Sequence, residues 1–238
     1  MIPTPYSALA NETALPSTAA NFPACRLFLK ANGAAGVSTM HDEISNTDIS
    51  VAGSSASGTG FQTLAAGTVV GVLPTPIIIG TKFALLIASM ELGTGTGGSI
   101  ALRDSGIVNS YIGIGTASML VYSGGVAYSS TLVSTTQTVT AVKVKPGTAS
   151  SVQGFKASTT VNTTEAGVIG TPASMTTAMT DMAFTGTAGT LKLHGVAMFL
   201  FDTTTHADPE IQSIVAWCMG QWRTNNNKAL YPGLVRIN

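Results

Sequence analysis

The sequence predicts an all-β fold, a sandwich of two antiparallel sheets carrying one short C-terminal helix. Three observations predict it. First, the chain is 45% hydrophobic yet only 9% charged. That apolar content argues against disorder, and the charge lies well under the roughly 25% usual in soluble domains. Second, short apolar runs recur between Gly, Asn and Asp residues, the rhythm of a sandwich. Third, Leu191–Trp222 reads as a strand, a turn and a helix. At 238 residues the chain can bury about 70% of its unfolded surface, so its core needs no covalent staples.

Met1–Asn21 holds Pro3, Pro5 and Pro16 and has little periodicity. It reads as an extended arm, with residues 22–223 as the sandwich domain and 224–238 as a tail. Phe22–Ala31 is the first strand, Leu27-Phe28-Leu29 lying between Arg26 and Lys30. Ala31–Ser50 carries turns and the polar run His41-Asp42-Glu43. Ser50–Gln62 is Gly/Ser-rich, a loop or a weak strand. Gly67–Leu73 and Pro76–Ala88 follow, and Lys82–Met90 is long and apolar enough for a buried strand. Ser99–Arg103, Val108–Ile114, Ala117–Tyr122 and Val126–Val133 form a meander. Thr135–Lys145 is the cleanest amphipathic strand, ended by Pro146-Gly147. Ser151–Ser158 is a further strand. Thr159–Met182 has no firm period, and Ala183–Thr190 turns into the last strand.

That last strand, Leu191–Phe201, is apolar apart from Lys192, His194 and Gly195, which suits burial on both faces. Asp202-Thr203-Thr204-Thr205 breaks it. Asp208 can accept the free N–H groups of a first helical turn, and Pro209 fits the first helical position. Ile211, Ile214, Val215, Cys218 and Trp222 then share one helix face, with Arg223 suiting the dipole in the last turn.

Gly195-Val196-Ala197-Met198-Phe199-Leu200-Phe201, then Asp208-Pro209-Glu210-Ile211-Gln212, then Trp217 and Trp222, resemble the C-terminal end of concanavalin A-like (laminin-G-like) jelly rolls. Such domains occur in bacteriophage virion proteins and in secreted glycan-binding modules. The resemblance implies a jelly-roll sandwich in which a first strand near the N-terminus pairs with the last. It also implies a non-catalytic virion structural protein of the decoration type, displayed on a capsid or tail surface, or alternatively a glycan-binding adhesion module. Partners would then be other virion proteins, reached through the N-terminal arm, in a homo-oligomeric or symmetric assembly, with cell-surface glycan as a further partner.

Several classes of chemistry lack their residues. Glycosidases of this architecture usually carry Glu-x-Asp-x-x-Glu on one strand, which sets two carboxyls about 5 Å apart for retention. The glutamates here, Glu12, Glu43, Glu91, Glu165 and Glu210, stand apart from one another. In His41-Asp42-Glu43 neighbours point to opposite faces of any strand, so a polar turn is expected. His206, Asp208 and Glu210 fit a helix start without a metal. Gly93-x-Gly95-x-Gly97-Gly98 lacks the Lys and the helix of a phosphate cradle. No catalytic residue, metal or cofactor is expected. A formal net charge of zero gives no electrostatic footprint for nucleic acid, and no run of 18 apolar residues provides a transmembrane helix. Met1–Asn21 lacks the basic start and apolar segment of a signal peptide, so synthesis in a host cytoplasm and a virion location are expected. Cys25 and Cys218 are either buried thiols or one bridge. Tyr111, Tyr122 and Tyr128, in the Gly-rich meander, are the candidate glycan-binding residues. They would either stack on sugars or pack the sandwich.

Overall fold

The computed structural model describes residues 18–31, 38–51, 62–64, 66–92, 97–105, 110–115, 118–131, 137–157, 162–164, 168, 170–186, 191–202 and 208–222. In chain order the strands are β1 (Cys25–Ala31), β2 (Thr39–Asp42), β3 (Thr47–Ser50), β4 (Gln62–Leu64), β5 (Gly67–Ile77), β6 (Phe83–Leu92), β7 (Gly98–Arg103) and β8 (Ser110–Gly115). They continue as β9 (Ser118–Ser123), β10 (Val126–Thr131), β11 (Gln137–Val144), β12 (Gln153–Ala157), β13 (Asn162–Thr164), β14 (Met179–Gly186) and β15 (Leu191–Phe201). One helix, α1 (Asp208–Trp222), follows. Residues 1–17 and 223–238, which hold most of the expected arm, Arg223 and the tail, lie outside the described residues.

The strands form two antiparallel sheets. One has nine strands, in the order β13-β12-β11-β6-β15-β1-β2-β3, with β4 also on β15. The other has six, in the order β10-β9-β8-β7-β14-β5. The first strand pairs with the last, Phe28 opposite Ala197, as the resemblance implies. The meander is β7 to β10, each strand paired with the next. The chain is a sandwich of two antiparallel sheets with one α-helix, α1, among the described residues.

Two hydrophobic layers hold it together. Between the sheets lie Leu27, Leu29, Leu86, Leu102, Ile112, Val121, Phe184, Val196 and Met198, among others. The second layer lies on the outer face of the nine-stranded sheet, where Phe28, Leu85, Ile87 and Phe199 meet Ile211, Ile214, Val215, Cys218 and Trp222 of α1. The helix therefore covers a sheet face. The apolar stripe at helical spacing needs that much flat surface beneath it. Ala19 and Phe22 join the same layer, so the folded unit reaches back before Phe22.

β15 shows why an apolar run can lack alternation. Leu191 and Leu193 face the inter-sheet core, as do Val196, Met198 and Leu200. The switch from odd to even positions falls at a register shift between Leu193 and Gly195. One extra residue in a strand reverses which side chains face which way. Beyond the bulge, Ala197 and Phe199 turn to the helix. A Cβ on Gly195 would fall inside the indole of Trp222. The close approach of helix to strand thus requires glycine here.

Two stretches differ from expectation. Met179–Gly186, spanning the end of the aperiodic stretch and the start of the expected turn, is β14, an interior strand between β7 and β5. Its core face, Met182 and Phe184, alternates with Asp181, Ala183 and Thr185. Thr39–Ser50 forms the hairpin β2–β3 where only turns and a polar run were read. The Asp42 carboxylate holds the hairpin. It accepts hydrogen bonds from the N–H groups of Phe28 (2.9 Å), Ile44 (3.2 Å) and Ser45 (3.1 Å) and from the Ser45 hydroxyl (2.6 Å). His41 instead meets Asp48 at 2.9 Å, and Glu43 pairs with Lys30. His41 and Asp42 thus end strand β2, and only Glu43 belongs to the turn expected of the whole run.

On the six-stranded sheet β5 is an edge. It pairs with β14 over Gly67–Val72 and again at Ile77, so Leu73-Pro74-Thr75-Pro76 interrupts the ladder. β3 lies against β5 where the two sheets meet.

Candidate ligand-binding face

The helix covers one sheet. The outer face of the other carries no helix among the described residues, and its side chains follow from register. Residues directly opposite on paired strands share a face. One row runs Val72, Asp181, Arg103, Tyr111, Tyr122, Ala127 from β5 across to β10. The next runs Val70, Ala183, Ala101, Gly113, Leu120, Ser129. A third includes Thr68, Thr185, Ser99 and Gly115, with the Thr68 and Thr185 hydroxyls 3.0 Å apart.

The face is thus a charged and aromatic row, a middle row that is small at Ala183, Ala101 and Gly113, and a row carrying hydroxyls at Thr68, Thr185 and Ser99. Each strand supplies it by alternation with core residues, as Ala101 and Arg103 alternate with Ile100 and Leu102. Tyr111 lies along its own strand, its tip over Gly113. A Cβ there would stand 2.6 Å from Tyr111 Cε1 and 2.8 Å from its hydroxyl. Burial raises the Tyr111 phenol above its ordinary pKa, and the nearby Arg103 charge acts the other way. Tyr111 therefore remains a hydroxyl at neutral pH, able to donate as well as accept. Tyr122, directly opposite Tyr111, is also half-buried. Asp181 is 8% exposed, and Val72 at the end of the row is 73% exposed.

Tyr128 has a different place. It stands opposite Val121 on the core face, packed within the inter-sheet layer. Its hydroxyl donates to the Thr171 carbonyl at 2.8 Å, so it ties the segment before β14 to the sandwich. Of the three tyrosines, two share the open face and one packs the core. Arg103 and Asp181, which complete the row, were not singled out from the sequence. Asp181 would have been found only by recognising β14, where Asp181, Ala183 and Gly186 dilute the strand signal of the threonines and Phe184.

Nothing among the described residues gathers three or more metal-ligating side chains. No described helix is long and apolar enough to cross a membrane. Cys25 and Cys218 are both free thiols in the helix-side layer. Burial pushes Cys25 up to about 12 and raises Cys218 well above its ordinary value. Neither is a thiolate nucleophile near neutral pH.

No family model matches the chain, and no curated protein matches it. Among solved structures it is similar to the binding domain of botulinum neurotoxin DC in complex with SialylT. That match has a TM-score of 0.43 and 8% identity over 84% of this chain and 52% of the other. The chain therefore spans about half the length of that structure. It is also similar to a Bacillus licheniformis β-glucanase, with TM-score 0.38 and 10% identity over 73% and 92% of the two chains. A third is the exoplasmic/lumenal domain of VIP36 in its Ca2+/Man2-bound form, with TM-score 0.39 and 11% identity over 87% and 90%. Identities this low carry no residue of those proteins onto this chain.

Proposed function

We propose that the chain is a non-catalytic glycan-binding module that meets sugar rings on the outer face of its six-stranded sheet. The row Tyr122, Tyr111, Arg103, Asp181 is the observation that supports this reading. Sugars present both apolar ring faces and hydroxyls. A site for them combines aromatic surface with a few placed polar groups, and tyrosine supplies both at once. The strands of this sheet contribute a single carboxylate, Asp181, so they lack the carboxyl pair of a glycosidase.

A glycan array tests the reading. The parent is expected to bind, and Tyr111→Ala and Tyr122→Ala are each expected to weaken binding about tenfold or more, the loss typical of a truncated contact aromatic. Tyr128→Phe should bind like the parent and melt at a lower temperature. The parent should release no sugar from any glycan it binds. Binding that survives both alanine variants, or turnover by the parent, overturns the reading.

A second reading, that the module is displayed on a bacteriophage capsid or tail, is favoured by surface chemistry. Charge is only 9% of the chain, and Val70, Val72 and Ile78 are exposed on or beside edge strand β5. Weakly charged apolar surface is commonly covered by partners. On this reading residues 1–17 attach the module to neighbouring virion proteins. Deleting them, but not Ala19 or Phe22, should leave the melting temperature unchanged and reduce retention on purified particles. Equal retention would remove the arm's role.

A further inference from the structure

Arg103 and Asp181 stand directly opposite each other on β7 and β14, on the face proposed to meet sugars. Opposite charges at such positions ordinarily pair. These do not. Neither residue takes part in the ion pairs Lys30–Glu43, His41–Asp48 and Lys82–Asp202. The Arg103 Nε–H is buried and meets no acceptor among the described residues. A buried donor without an acceptor is costly. An unsatisfied donor thus sits opposite a carboxylate with which it forms no ion pair.

We propose that Arg103 and Asp181 together select an uncharged, polyhydroxylated sugar ring in preference to an acidic one. This deepens the glycan-binding reading and rests on it. A hydroxyl both donates and accepts. Adjacent ring hydroxyls can accept from the Arg103 guanidinium and donate to the Asp181 carboxylate at once. A uronate or sulfate group would satisfy Arg103 but would face the Asp181 carboxylate, and close like charges repel. A cationic amine would meet the reverse problem at Arg103. The hydroxyl of Tyr111, next in the row, extends the same pattern, and its neighbour Tyr122 offers apolar surface to the ring. Selectivity comes from the repulsive member of the pair as much as from the attractive one.

The test uses the full chain on paired arrays of neutral oligosaccharides (β-glucan, mannan and galactan fragments) and acidic ones (oligogalacturonate, hyaluronan and sulfated fragments). The parent is expected to bind members of the neutral set and not the acidic set. Asp181→Asn is expected to lose about tenfold or more on the neutral ligand, the size expected for a hydrogen bond to a charged group, and to gain binding to acidic fragments. Arg103→Gln should lose neutral binding without that gain. Arg103→Lys, which keeps the charge but not the planar fork, serves as a second variant should Arg103→Gln melt early. A parent that prefers acidic glycans overturns the proposal while keeping the glycan reading. So does an Asp181→Asn variant, melting like the parent, with an unchanged profile. Absence of binding to both sets removes the glycan reading and this proposal with it.

Discussion

Ending the chain after Thr205 is expected to abolish soluble folding. The truncation removes α1 and uncovers the outer face of the nine-stranded sheet, with Phe28, Phe83, Leu85, Ile87 and Phe199 beneath. It also removes Ile211, Ile214, Val215 and Trp222 from burial. Burying one such side chain is worth about 1.5–3 kcal/mol. Four of them match the whole stability of a typical domain, about 5–15 kcal/mol. The exposed sheet face would then be a contiguous apolar patch, which promotes association. The measurements are the soluble fraction on expression and the melting transition of any soluble product. A chain ending after Trp222 separates the helix's share from that of the residues beyond it. A protein truncated after Thr205 that still melts cooperatively near the parent temperature would show that the second layer is dispensable.

The next largest effect is expected at Gly195. An added methyl there would overlap the Trp222 indole, which also stacks on Phe28 with centroids 5.4 Å apart. Backbone lies on one side and a packed helix on the other, so the indole must move. Overpacking of this kind costs about 1–3 kcal/mol, which in a chain of this size lowers Tm by about 2–4 °C per kcal/mol. Trp222→Ala alone should cost more, about 3–5 kcal/mol, through the cavity it leaves. The informative variant is the pair. With the indole gone, the methyl of Gly195→Ala has space, so the double variant should be scarcely less stable than Trp222→Ala. Strict additivity of the two losses would mean that Gly195 acts through its backbone and not through the indole, since coupling energies report direct contact.

Local signals made much of this architecture readable. The both-faces apolar run of β15 and the helical stripe of α1 were legible because each buries a long, regular surface. The meander β7 to β10 was legible because glycines and turns punctuate it. β14 was not, since Asp181 and Ala183, which disfavour strands, interrupt the strand-favouring Thr180, Phe184 and Thr185. What fixes them as a strand is pairing with β5 and β7 on either side, a nonlocal fact. β2 and β3 were obscured in the same way. They are short, and their hairpin depends on Asp42 reaching Phe28 across the sheet. The candidate face was half legible. Tyr111 and Tyr122 are aromatic and sit in a recognisable meander, whereas Arg103 and Asp181 become neighbours only through a strand that local pattern does not reveal. Tyr128 differs from the other two by facing the core, which alternation decides once the register of β10 on β9 is known.

The interruption at Pro74 and Pro76 bears on colloidal behaviour. Molecules with few charges repel one another weakly and approach closely. For a sheet protein the hazard at close range is strand-to-strand growth along an open edge. Proline withholds the N–H such growth would use, and an interrupted ladder gives an incoming strand no continuous template. β3 stands beside the same strand. With so little charge to hold copies apart, backbone geometry limits this edge, since Pro74 and Pro76 confine the stretch open to an incoming strand to Gly67–Leu73.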